Sequence, residues 1–418
     1  MKKIVLLSAL TAVMSFGSSY GDDGISYESG TEISENVGIS DENGADVKDS
    51  ITLSSAYWEG QYTNKQLANF GLELMRGTAR LENFLTDSSN GTENAVAKWG
   101  VRAFYMLFIN HAFYTAYHEI GHGLRMKAYG QNFMLTKSDD YGAFKKDENF
   151  FKYFVKELTS FSRAGCRCET RLGNKEELVV SAGGMNNETY MTERISEGLH
   201  NRNRLSFNES FAYFYGRLAP VIYALSKEDK GYNLGDDPVA VQHYYKQLGI
   251  SAKKNDIALA GVISTLLSGT TYSIGKYAFS SDKYATPISF YNFQAPDVFS
   301  YITSKGISYK LNSAYKYQDN IKFLFGVEHV FHGKSTTEAH LGIDFTLSSL
   351  HNTNMKVVTT FGQGFDLEAI CSVPVTDYLS VNVEAGTYST KSLLGERHAR
   401  KLDKGRSSDI AVSVSFRY

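Results

Sequence analysis

Apolar residues recur every three or four positions from about Asn64 to Lys283, and every second position after residue 300. The first period is that of a helix face, the second that of a strand with one face unlike the other. Leu67, Phe70, Leu74, Leu81 and Phe84 predict an amphipathic helix, despite Gly71 and Gly77. Thr92 caps a second helix that runs to Gly130, a C′ glycine. Ser206 and Glu209 form a capping box before an apolar helix that ends or kinks near Pro220. Asp237 and Pro238 read as N-cap and N1 of a helix stopped by Gly249, and Ile257–Ile274 is a further apolar helical run.

The alternating part reads as strands. Ile307, Tyr309, Leu311, Tyr315 and Tyr317 share one face, as do Ile321–Val327 and Ala339–Leu347 at their odd positions. Phe365–Val373, Leu379–Thr387 and Ile410–Tyr418 repeat the pattern, and two more strands are expected within Ile288–Thr303 and Asn354–Phe361. Strands of about ten residues with one apolar face suit an outer-membrane β-barrel, in which lipid and lumen lie on opposite sides. A soluble antiparallel sandwich alternates in the same way. The Tyr and Phe on the apolar face favour the barrel, with Lys391–Ser407 as a long external loop whose basic charge is solvated.

The N-terminus supports an envelope destination. Lys2 and Lys3 precede the apolar run Ile4–Phe16, and Ser19 and Gly21 are the small residues of a cleavage site. Residues 1–21 therefore read as a secretory signal peptide. Residues 22–50 are acidic and poor in large apolar side chains, and read as a disordered leader. The expected organisation is α+β, with a helical domain over 51–283 followed by a small antiparallel barrel of about eight strands over 284–418. A net charge of −2 gives no electrostatic case for nucleic acid. Cys166, Cys168 and Cys371 give no disulfide framework.

Candidate chemistry lies in "YHEIGHGLRMKAYG", Tyr117–Gly130, where His118, Glu119 and His122 have the spacing H-E-x-x-H. On a helix, positions i and i+4 share a face, so the two imidazoles can address one tetrahedral zinc ion. Glu119 lies beside them, placed to take a proton from water as a general base. His111, two turns earlier, reads as a core histidine hydrogen-bonded to a neighbour.

"HEIGHGLRMKAYG" resembles the active-site helix of zincin metallopeptidases and is most similar to that of site-2 proteases. The resemblance covers about fifteen residues and implies that His118 and His122 bind zinc and that Glu119 is the base. That family's third ligand, an aspartate in an Asn-Pro-Asp-Gly-like motif, has no counterpart in this chain. The favoured third ligand is Glu188, in "SAGGMNNETYMTE", where Gly183 and Gly184 permit a close backbone approach. Glu193 and His200 are its rivals, and Asp236 and Asp237 stand further out.

The reading that results is a zinc metalloprotease of the bacterial outer membrane and periplasm. It hydrolyses peptide or protein substrates with metal-activated water, its barrel in lipid and its helical domain facing the periplasm. The alternative is a barrel-anchored structural or adhesive protein with a structural or vestigial metal site. An inner-membrane intramembrane protease is a third reading.

Overall fold

The computed structural model describes residues 50–54, 63–87, 92–137, 150–159, 164–168, 172–225, 236–280, 283–350, 352–376 and 379–417. The expected signal peptide and all but the last residue of the acidic leader lie outside them. The protein is α+β. A short strand β1 (Ser50–Ser54) precedes α1 (Asn64–Asp87) and α2 (Thr92–Phe104). One π-helical turn, Tyr105–Asn110, joins α2 to α3 (His111–Ala128). After α3 come the paired strands β2 (Phe133–Lys137) and β3 (Ala164–Cys168), with α4 (Phe150–Thr159) between them. The helical part continues with α5 (Asn174–Arg202), α6 (Phe207–Leu225), α7 (Asp237–Gln247), α8 (Lys254–Leu266) and α9 (Gly269–Ala278).

Local signals account for several of these bounds. Gly130, at φ +75°, closes α3 in a Schellman motif: Gln131 N–H donates to Met126 O at 3.1 Å and Gly130 N–H to Lys127 O at 2.9 Å. The capping box at α6 is formed, Ser206 N–H donating to Glu209 Oε2 at 3.0 Å and Glu209 N–H to Ser206 Oγ at 3.3 Å. Pro220 lies inside α6 without ending it. The Ile257–Ile274 run is two helices bent by 66°. Leu67, Phe113, Tyr117, Phe150, Phe154 and Met191 form the centre of the helical core, with Phe113 stacked on Tyr117 at 5.4 Å.

Two small strands, β4 (Ser289–Phe290) and β5 (Phe293–Gln294), lead into the main antiparallel sheet. It comprises β6 (Asp297–Thr303), β7 (Gly306–Gln318), β8 (Ile321–Gly333), β9 (Thr337–Leu347), β10 (Thr353–Phe361), β11 (Phe365–Thr376), β12 (Leu379–Ser389) and β13 (Arg406–Arg417). Each strand pairs with the next in sequence, and β1 adds to the outer edge of β13. Among the described residues the sheet is open, with β1 at one edge and, at the other, β6 and the small β5–β4 pair side by side on β7.

The expected closed barrel is therefore not what the sheet forms, and the edge of β6 shows why. Its outward backbone groups are taken by side chains. Val298 N–H donates to Ser268 Oγ at 2.9 Å, and Val298 O accepts from Arg217 at 2.8 Å and from Ser268 at 2.9 Å. Asn186 of α5 does the same for Ile302, accepting from its N–H at 2.9 Å and donating to its carbonyl at 2.8 Å. With these groups satisfied, β6 offers no ladder to β1 at those positions.

The two faces of the sheet are opposite in character. Toward α5 it presents Lys310, Asn312, Glu328, Glu338, His340, Lys356 and Glu368. Lys310 pairs with Glu193 at 2.5 Å and Lys356 with Glu197 at 3.4 Å, both across to α5. The other face carries Phe323, Val327, Phe331, Leu341, Phe361, Phe365, Val383, Ile410 and Val412, all exposed. Aromatic pairs lie toward both ends of the strands, Tyr309–Phe331 and Phe361–Phe365 at one and Tyr317–Phe323 at the other.

Lys391–Ser407 is only in part the exposed loop expected. Its first half folds inward as α10 (Leu393–His398), with Leu393, Leu394, Glu396, Arg397 and Ala399 buried. Arg397 makes a two-pronged ion pair with Glu328 at 2.7 and 2.6 Å, and Leu393 N–H donates to Glu338 at 2.8 Å. Arg125 of α3 reaches the same turn, donating to the carbonyls of Glu396 at 2.8 Å and Ala399 at 3.2 Å. Pairing of the buried charges holds this half out of water, whereas Lys391, Lys401, Lys404 and Arg406 stay exposed, as expected of the basic residues.

Candidate metal centre

The helix carrying His118, Glu119 and His122 crosses α5 at a contact between glycines. A methyl added to Gly121 would stand 2.4 Å from Gly183 O, and one added to Gly183 would stand 2.6 Å from Gly121 O. Only residues without Cβ allow this approach. Gly184 clears the space for an imidazole, because a Cβ there would lie 2.5 Å from His118 Nε2. Asn187 fixes the crossing by donating to Tyr117 O at 2.8 Å.

This crossing supplies a partner for the rear nitrogen of each histidine. His122 Nδ1 meets Val180 O at 2.7 Å, and His118 Nδ1 meets Glu188 Oε1 at 3.0 Å. The two forward nitrogens then face a third element. Asp237, in the first turn of α7, places Oδ2 2.8 Å from His118 Nε2 and 3.1 Å from His122 Nε2. The N-cap of α7 is Asp236 rather than the expected Asp237. That one-residue shift leaves the Asp237 carboxylate free of capping and turned toward the imidazoles. Its N–H donates to Tyr223 Oη at 3.3 Å, which ties α7 to the end of α6.

The acid at the meeting point is thus Asp237, and Glu188 stands one step back, behind His118. The rival residues face elsewhere. Glu193 is bonded to Lys310, Asn312 and Tyr301 on the sheet side, and His200 lies 3.2 Å from Asp297. His111 meets Tyr215 Oη at 3.3 Å, the hydrogen bond expected of it, but is half-buried rather than in the core. A signal for Asp237 was present in the chain: an acid directly before a helix-starting proline sits in a first turn, where its side chain can point away from the helix.

Charge is concentrated here. Burial works against a charged His118, but the Glu188 and Asp237 carboxylates outweigh it and hold the imidazole well above its ordinary value. His122 is raised in the same way, mainly by Asp237. Burial alone would raise Asp237, yet the two imidazoles hold it well below the usual carboxylate range. Burial pushes Glu119 up, against the pull of both histidines.

The donor set fits a zinc ion. Two imidazole Nε2 atoms and one carboxylate oxygen, all within 4.8 Å of one another, are a set that zinc takes when a fourth position is left to water or substrate. Each imidazole also has its Nδ1 held by an oxygen, the arrangement that fixes tautomer and orientation in metal-ligating histidines. Among the described residues His118, His122 and Asp237 are the group with this convergence. Neither a family model, nor a curated protein, nor a solved structure matches the chain.

Proposed function

We propose that the protein is a zinc-dependent peptidase of the bacterial outer membrane, with a zincin-like centre most similar to that of site-2 proteases. The observation that carries this reading is the meeting of His118, His122 and Asp237 at one point beside Glu119. His118, His122 and Asp237 would hold the ion, and Glu188 and the Val180 carbonyl would orient the two rings. A bound zinc supplies Lewis-acid polarisation of a carbonyl and acidifies water. Glu119, raised by burial, is suited to take the proton of a water attacking a peptide carbonyl, and then to return it to the departing amine nitrogen.

The membrane assignment rests on the sheet. Its polar face is turned inward onto α5 and its apolar face outward, the reverse of a soluble sandwich. The run from Phe323 to Phe331, both exposed aromatics, spans about 26 Å at the rise of a strand. At the tilt of outer-membrane strands that run covers about 20 Å of depth, most of the roughly 25 Å apolar band of such proteins. The predicted signal peptide agrees with such a destination.

The test is metal analysis of protein purified without chelator, together with hydrolysis of an unfolded protein substrate by parent and Glu119→Gln. About one zinc per chain, and activity lost only in the variant, supports the reading. Zinc present with equal activity in both proteins would leave a metal site without Glu119 as base. No transition metal at all would return the protein to the structural or adhesive class.

A further inference from the structure

We propose that α6 and α8 are also in contact with lipid acyl chains, and complete the wall that the open sheet leaves unfinished. This rests on the membrane reading of the sheet. On α6 the residues Leu218, Ile222 and Leu225 form one exposed stripe at 42%, 65% and 62%. On α8 Leu259, Val262 and Leu266 form another, at 51%, 38% and 59%. Neither stripe contains a charge. No Asp, Glu, Lys or Arg occurs from Ile257 to Gly275, and the charged residues of α6, Glu209 and Arg217, are both buried.

The polar groups of the two helices point the other way, into the molecule. Arg217 donates to Val298 O, to Tyr213 Oη at 2.9 Å and to Ser268 Oγ at 3.0 Å, while Ser264 Oγ meets Ser300 Oγ at 3.3 Å. Polar inside and apolar outside is the same inversion as in the sheet. The position along the strands also agrees. Arg217 and Ser264 bond to Val298 and Ser300, and the register runs level from Val298 to Leu311 of β7, to Val327 of β8 and to Ala339 of β9. Val327 lies midway between Phe323 and Phe331, so the helices dock beside the middle of this run of strand, displaced in depth by about 5–7 Å through strand tilt.

Two further facts favour acyl chains over water or a second protein. Backbone exposed to lipid must be satisfied within the protein, and the described edge of β6 is satisfied at Val298 and Ile302 by these helices and α5. Among the described residues no single helix is long and apolar enough to cross a membrane, but α8 and α9 as one bent pair have the length and composition to do so. They need not cross alone, because the sheet forms the rest of the wall.

Spin labels test this in the full chain, after serine replacement of Cys166, Cys168 and Cys371. Single cysteines are placed at Ile222, Leu259 and Val262, with Leu341 as the sheet reference and Lys401 as the aqueous one. The labelled proteins are reconstituted in phosphatidylcholine vesicles, and far-UV circular dichroism identical to the parent is required of each. Collision with oxygen should exceed collision with a water-soluble nickel chelate at the three helix positions, by a ratio equal to that at Leu341 and several-fold above that at Lys401. A ratio like that of Lys401 at the helices, with Leu341 lipid-like, overturns the proposal and leaves the sheet reading standing. Low collision with both reagents at the helices means a protein neighbour, and also overturns it. Water-like values at Leu341 as well would overturn both readings together.

Discussion

Gly183 lies against Gly121 so closely that neither position has room for a methyl group, and α5 touches the helix of the two candidate histidine ligands at that point. The contact brings Val180 O to His122 and Glu188 to His118. It therefore acts on the geometry of both rings at once.

Gly183→Ala is expected to push α5 away from α3, and to cost about 1–3 kcal/mol of stability through overpacking. Zinc retention should fall with it, because both Nδ1 partners sit on the displaced helix. Gly100→Ala is the control: nothing lies within 4 Å of a Cβ there, so alanine in that helix should stabilise by about 0.5–1 kcal/mol. Thermal unfolding and metal content of the two variants check the contrast. Equal stability in both would show that the crossing tolerates a side chain.

Asp237→Ala removes a proposed ligand, whereas Glu188→Gln leaves all three in place and alters only the group behind His118. Zinc affinity, measured by competition with a chromogenic chelator, should drop below detection in the first. In the second it should fall by about 10- to 100-fold, the usual effect of removing an orienting carboxylate. The reverse order would move the third ligand from Asp237 to Glu188.

Glu119→Gln should keep the metal and lose activity by a factor of about 10²–10⁴, the range for removal of a general acid–base group. Turnover of a fluorogenic peptide at matched zinc content measures it. A loss of metal in this variant instead would give Glu119 a role in coordination.

Arg125→Met leaves the Glu396 and Ala399 carbonyls without the donors that α3 supplies, at a cost of about 1–3 kcal/mol. The segment should loosen locally, with faster amide exchange over residues 393–402 and earlier tryptic cutting at Lys401 and Lys404. Exchange unchanged from the parent there would mean that the Arg397–Glu328 pair holds α10 on its own.

Much of this architecture could be read from local pattern, because the responsible signals act within a few residues. Gly130 and Gly249 take the positive φ that ends their helices. The two-residue period of β7 to β13 follows from a sheet whose faces differ throughout. Asp237 was harder, because its role depends on α7 arriving opposite a helix more than a hundred residues earlier. The favoured Glu188 is close in space and chemically apt, yet it approaches the wrong nitrogen of His118 for convergence with His122. Closure was also illegible. Strand count and alternation are the same in a closed barrel and in an open sheet, and the residues that cap β6 are scattered over Asn186, Arg217 and Ser268.

That capping sets an order of events during folding. Until α5, α6 and the link from α8 to α9 are docked, β6 is a bare strand edge that can accept another chain. If the sheet enters lipid as proposed, one inserted ahead of its helices would pair with a neighbouring copy or with its own β1, and Arg217 would be left facing hydrocarbon. On that proposed reading the helical half is folded, or held, before the strands reach a bilayer. This is the opposite of an assembly in which a strand-only barrel forms first and receives its contents afterwards.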